Sequence, residues 1–202
     1  IIDVIDREDS FLIVMDYIKV IANENGIAAA RPLWLPALSK EIDIHDINVE
    51  NIMFAGSIKA VVGMIDNPES QSQYPYYIDF SEFSNLMIVG NQGCGKSTFI
   101  QTILYSMAMN YHSDDVNFYI LDFSSGLLHN FMKLPHCGNV AQVDEEDSVN
   151  RTIRYLISVI EERNQIFKKA GVGGFWEFKK ISKEPMPLLL LVIDNYFAFG
   201  EN

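Results

Sequence analysis

Apolar positions recur along the chain with two different periods, and the alternation between them predicts its elements. Phe11, Val14, Ile18 and Ala22, with Met15 and Ile21 beside them, keep helical spacing and predict an amphipathic helix over 9–25. Asp9 or Ser10 suits its start and Gly26 its end. The stretch Arg31-Pro-Leu-Trp-Leu-Pro-Ala-Leu38 is bracketed by prolines and reads as extended. Exposing Trp34 there would be costly, so it is expected to dock on a neighbouring domain. Residues 39–57 are acidic and irregular. Val61–Ile65 and Tyr76–Phe80 read as strands around a turn-rich loop, which predicts a small β-appendage.

The pattern then changes to alternating strands and helices. Leu86-Met-Ile-Val89 reads as a buried strand, and Ile100, Ile103, Leu104 and Met107 share one helical face. Val116–Asp122 reads as a strand closing on a carboxylate, followed by a Ser124-Ser125-Gly126 loop. A short strand over Asn139–Val143 leads into a long helix that opens at Asp147 or Ser148 and runs to Ala170. Its predicted buried face is Val149, Ile153, Leu156, Ile157, Ile160 and Phe167. A second helical piece spans Gly174–Ile181; its Phe175, Trp176 and Phe178 suit a core, with a substrate pocket as the other reading. Pro185 and Pro187 break that piece, and Leu188–Ile193 predicts a strand buried on both faces that ends in Asp194. Strand–helix alternation of this kind implies right-handed crossovers and a mostly parallel sheet, an α/β fold.

Between the first core strand and its helix lies Gly90-Asn91-Gln92-Gly93-Cys94-Gly95-Lys96-Ser97-Thr98, which meets the pattern G-x-x-x-x-G-K-[ST] in full. The glycines let the backbone turn with its N–H groups pointing inward, and the following helix N-terminus adds its dipole, which together make a phosphate site. Lys96 would reach the β- and γ-phosphates of ATP, and the Ser97 hydroxyl would sit on Mg²⁺. Asp194, downstream at the end of an apolar strand, is the second expected metal ligand. Asn195 follows it, where ring-forming P-loop ATPases often carry a glutamate that polarises water. An amide orients water but cannot take its proton. Asn195 therefore marks a degenerate base position and predicts slow hydrolysis at most, unless Asp122 or Glu201 substitutes.

Composition narrows the reading. At 202 residues, 49% of them apolar, the chain is long enough for one α/β core plus an appendage. A net charge of -12 argues against a grip on nucleic acid, which needs a basic surface, so DNA is not expected as a partner. The lysines at 168, 169, 179, 180 and 183 read as a solvated helix face. Two cysteines, Cys94 and Cys137, give no disulfide framework, which suits a reducing cytosol. No apolar run approaches the roughly 20 residues that span a bilayer. The chain starts on Ile1 and stops abruptly at Asn202, just past the strand that ends in Asp194, so it reads as a fragment of something larger.

With these residues in place a resemblance emerges. The phosphate loop, Leu121-Asp-Phe-Ser-Ser-Gly-Leu127, Leu134-Pro-His136, Val140–Asp144 and Arg163–Gly171 follow the order of FtsK/SpoIIIE-type motor domains. Arg31-Pro-Leu-Trp-Leu-Pro36, Val62-Gly-Met-Ile-Asp-Asn-Pro68 and Gln73-Tyr-Pro75 resemble the linker between tandem ATPase domains of type VII secretion ATPases. The resemblance implies a RecA-like P-loop core with helices on both faces of the sheet. It divides the chain into a helix and linker over 1–38, a β-appendage over 39–80 and an ATPase core over 81–202 that ends early. It further implies ATP and Mg²⁺ as ligands and adjacent ATPase domains of the same polypeptide as partners, the linker match pointing to the second of the C-terminal domains. WXG-type secretion substrates, a place on the cytoplasmic side of a bacterial cell membrane and a possible hexameric assembly belong to the same implication. The alternative within the family is a DNA-translocating motor, against which the acidic balance, Asn195 and the Trp-Leu-Pro linker all weigh.

Overall fold

The computed structural model describes residues 7–28, 30, 34–47, 56–124 and 126–200. Arg31, Pro32, Leu33, Ser125 and Glu201, which enter the expectations above, lie outside the described residues. The chain forms two compact units, one of residues 1–37 with 67–72 and one of residues 38–66 with 73–202.

In the first unit, helix α1 (Arg7–Glu24) ends as its sequence predicts. Gly26 is left-handed, and the N–H groups of Gly26 and Ile27 return to the carbonyls of Asn23 and Ala22, closing the last turn. The apolar residues of α1 are exposed on every side, Phe11, Ile13 and Tyr17 among them. Trp34 is exposed as well, and the following Leu35 N–H donates to the Gln71 side chain.

The second unit holds the core. Strands β1 (Lys59–Asn67) and β2 (Ser72–Asp79) pair as a two-stranded sheet whose short connection permits only an antiparallel hairpin. The hairpin is bolted to helix α2 (Lys96–Asn110): Lys59 N–H donates to the Tyr111 hydroxyl just past that helix, and Val61 N–H to the buried Ser106 hydroxyl. A buried ion pair, Lys59 to Asp79 at 3.4 Å, crosses the hairpin. The main sheet has strand order β4-β3-β5 with both pairings parallel: β3 (Val116–Asp122) is central, flanked by β4 (Cys137–Gln142) and β5 (Leu188–Asp194). One face of β3 (Val116, Phe118 and Ile120) packs with Ile103, Leu104 and Met107 of α2 and with Ile58 and Ala60 at the hairpin. On the other face, Leu121 and Phe123 just past the strand pack with Ala141 of β4 and are covered by Val149 of α3 (Glu146–Ala170) and Ala198 of α5 (Tyr196–Gly200). The sheet is therefore covered on both faces, as a parallel sheet requires. Helix α4 (Phe175–Ile181) buries Phe178 against Phe167 of α3, rings 5.6 Å apart, and half-buries Trp176 against the core.

Three expectations need correction. Leu86–Val89 forms no strand: Met87 and Val89 are more than 80% exposed, and only Ile88 turns into the core. An extended run becomes a strand only when a neighbour takes its N–H and C=O groups, and none does so among the described residues. Strand β5 is not buried on both faces: its apolar residues are at most half-buried, and Leu191 is 44% exposed. The buried stripe of α3 is rotated from the predicted one. Thr152 and Leu156 are buried, whereas Ile157 and Ile160 face outward, because Asn139 of β4 draws the Ser148 and Thr152 hydroxyls inward by hydrogen bonds.

Candidate nucleotide-binding site

The glycine loop lies at the carboxyl end of the main sheet, where Ser97 at the start of α2 meets Asp194 at the end of β5. Gly95, the residue before α2, is left-handed at φ 89°, a turn that residues with a Cβ rarely adopt. At Gly90 the constraint is space, for a Cβ there would lie 2.6 Å from the Cys94 Sγ. Residues Gly90 to Gly95 are exposed, so their N–H groups are open to solvent, while Lys96 and Ser97 are half-buried and Thr98 is exposed. The Lys96 ammonium folds back on the loop, donating to the carbonyls of Gly90 at 3.0 Å and Asn91 at 2.9 Å. Beside the loop lies an open groove of about 490 Å³, lined by Ile88, Val89, Cys94, Lys96, Phe99 and Thr102 among others, a size ordinary for small-molecule sites.

Asp194 meets the loop from the end of β5. Its carboxylate is buried and accepts the Ser97 hydroxyl at 2.6 Å, so two residues 97 positions apart converge on one point. These two oxygen donors fit Mg²⁺. That ion prefers hard oxygens, keeps several waters, and is held by one or two protein groups together with phosphates. No group of three or more His, Cys, Asp or Glu among the described residues could hold a metal by itself.

Asn195 lies beside Asp194 in the left-handed region, φ 63°, and its side-chain amide donates to the Phe123 carbonyl at 3.2 Å. Asp122, opposite Asp194 in the β3–β5 register, is committed elsewhere. One of its oxygens accepts the Ser124 N–H at 3.1 Å and the other the Leu128 N–H at 3.0 Å, which anchors the 3₁₀ turn Leu127–Lys133. Sequence reasoning assigned no role to Phe123, whose N–H also donates to the Asp194 carbonyl at 3.1 Å. A lone apolar residue after a strand carries no signal from which this could have been read.

A glycine loop opening a helix, with its lysine and serine gathered against a strand-end aspartate, defines a P-loop nucleotide-binding fold. The chain belongs to the FtsK/SpoIIIE family, whose model matches residues 60–192. Among curated proteins it is 26% identical over 194 residues to the type VII secretion system protein EssC of Staphylococcus aureus, a match covering 94% of this chain and 13% of that protein. It is 33% identical over 193 residues to the ESX-5 secretion system protein EccC5 of Mycobacterium marinum, covering 84% of this chain and 14% of that one. Among solved structures it resembles Thermomonospora curvata EccC (ATPases 2 and 3), which was determined in complex with a signal sequence peptide. There the TM-score is 0.65 at 30% identity, covering 73% of this chain and 28% of the other. The chain thus spans a small part of each relative, and no helix among its described residues is long and apolar enough to cross a membrane.

Proposed function

We propose that this chain is an ATP- and Mg²⁺-binding ATPase domain of a type VII secretion ATPase that turns nucleotide over slowly, or not at all, by itself. The observation that carries the reading is the 2.6 Å contact between Ser97 and Asp194 beside an exposed glycine loop. Gly90 to Gly95 would cradle the phosphates, Lys96 would exchange its loop carbonyls for phosphate oxygens, and Ser97 with Asp194 would hold the metal. When bound, Mg²⁺ neutralises charge on the β- and γ-phosphates. The weak turnover follows from what surrounds Asp194. Asn195 accepts no proton, and Asp122 has both oxygens engaged by backbone N–H groups. Lacking a general base typically costs about 10²–10⁴-fold in rate.

On this reading the domain works inside a longer polypeptide at the cytoplasmic face of a bacterial membrane. Nucleotide binding would set its packing against adjacent ATPase domains and so couple to the export of WXG-type substrates. The family match and the secretion relatives support that context. The test is calorimetric binding of ATP with Mg²⁺, paired with a phosphate-release assay. Binding by the native chain, its loss in Lys96→Ala and background turnover are expected. Turnover at ordinary motor rates by the isolated chain, or unchanged binding by Lys96→Ala, would overturn the proposal.

A further inference from the structure

We infer that Asn195 is a positioning residue, whose side-chain amide clasps the end of β5 to the end of β3 and so aims the Asp194 carboxylate at the metal position. The inference rests on the nucleotide-site reading above and deepens it. Asp194 is enclosed between two hydrogen bonds to a single residue, Phe123, just past the end of β3. Phe123 N–H donates to the Asp194 carbonyl at 3.1 Å, and the Asn195 amide donates to the Phe123 carbonyl at 3.2 Å. The β3–β5 register ends at the Asp122–Asp194 pair, and these two bonds continue the link between the two chain segments just past it. The chain then turns sharply into α5, and the Ala198 N–H returns to the Asn195 carbonyl at 3.1 Å. That turn needs a left-handed residue, and φ at Asn195 is 63°.

Position 195 therefore makes two demands at once. It needs a residue that tolerates positive φ, which favours Gly, Asn and Asp. It also needs a short side chain that donates to a carbonyl. Glycine meets the first demand only. Aspartate meets the first and then sets an acceptor against an acceptor. Asparagine meets both. Losing the clasp frees the carbon skeleton that carries Asp194, whose partner Ser97 is a single hydrogen bond away on another element. A glutamate at this position would have to adopt positive φ and would give up the clasp, so restoring the acid that many motors carry is not expected to restore an engine here.

The experiment measures ATP affinity by calorimetry twice for each variant, with Mg²⁺ and with a chelator, together with the melting temperature. The quantity read is the gain in affinity that Mg²⁺ confers. Asn195→Gly and Asn195→Asp are expected to lose about tenfold of that gain while their chelator-condition affinity stays at the native level, which shows that the phosphate loop is folded. A merely structural role would lower the melting temperature and both affinities together, and that result would overturn the inference. So would either variant keeping the native magnesium gain while Asp194→Ala loses it, an outcome that leaves the nucleotide site standing. A native chain with no magnesium gain at all would sink the metal assignment and this inference with it. Asn195→Glu is expected to lose the magnesium gain without rising in turnover; a rise in turnover with the gain intact would also overturn the clasp.

Discussion

Cys94 offers a direct view of the phosphate loop at the scale of one residue. It is exposed, and its sulfur lies over Gly90, so a group added there would fill the space in which the loop closes. Cys137 is its internal control, because burial pushes that thiol up to about 11 and keeps it protonated at neutral pH. An alkylating reagent is expected to modify Cys94 and spare Cys137, as read by peptide mass spectrometry. At an ATP concentration about 100 times Kd, with Mg²⁺ present, labelling of Cys94 should slow about 100-fold, in step with the free fraction. Labelling that ignores ATP would place the nucleotide elsewhere. The residue scale is also where the sequence was both most and least legible. Gly90, Gly95, Lys96 and Ser97 announce themselves by spacing, since a phosphate cradle needs those residue types at those intervals. Asn195 was visible only as a missing glutamate. Its left-handed backbone and its bond to Phe123 depend on a turn and a neighbouring strand that no local pattern encodes.

The elements show the same division. Helices α2 and α3 and strand β3 follow from apolar periodicity, because each buries a face whatever its exact partner. Leu188–Asp194 is the strand its apolar run predicts, but Leu86–Val89 is none and β5 is not buried on both faces, because a run of apolar residues does not say which neighbours will pair with it or cover it. The β1–β2 hairpin carries a test of its own. Burial pushes the Asp79 carboxyl up, but hydrogen bonds from the Ser81 hydroxyl and N–H and the nearby Lys59 ammonium outweigh it, so Asp79 sits below the ordinary aspartate range. A carboxylate lowered on folding adds stability above its unfolded pKa of about 3.9 and loses it as pH falls through the folded value. The melting temperature should therefore drop as the solution is acidified below about pH 4. Asp79→Asn should flatten that acid-side slope, and an unchanged slope would remove Asp79 from the account. Asp79→Ala, which leaves the buried Lys59 without its carboxylate, is expected to cost about 3 kcal/mol in denaturant unfolding.

For the whole molecule, two properties pull against each other. The chain carries 27 acidic against 15 basic side chains, so copies of it repel one another at low ionic strength. It also displays Phe11, Ile13 and Tyr17 on α1 and Met87 and Val89 ahead of the phosphate loop, large apolar groups of the kind that drive association. Screening shortens the reach of the repulsion to about 3 Å at 1 M salt and leaves apolar attraction in place. Raising the salt concentration should therefore drive the chain from monomer towards larger species in light scattering or sedimentation. The replacements Phe11→Glu and Val89→Glu should suppress that trend separately, which would tell which of the two surfaces is responsible. Dissociation on adding salt would mean instead that charge pairing holds the copies together. The same salt series run with duplex DNA separates the two readings of the family: a secretion domain of this acidity should show no salt-sensitive binding, whereas a DNA motor should bind at low salt and release as salt rises.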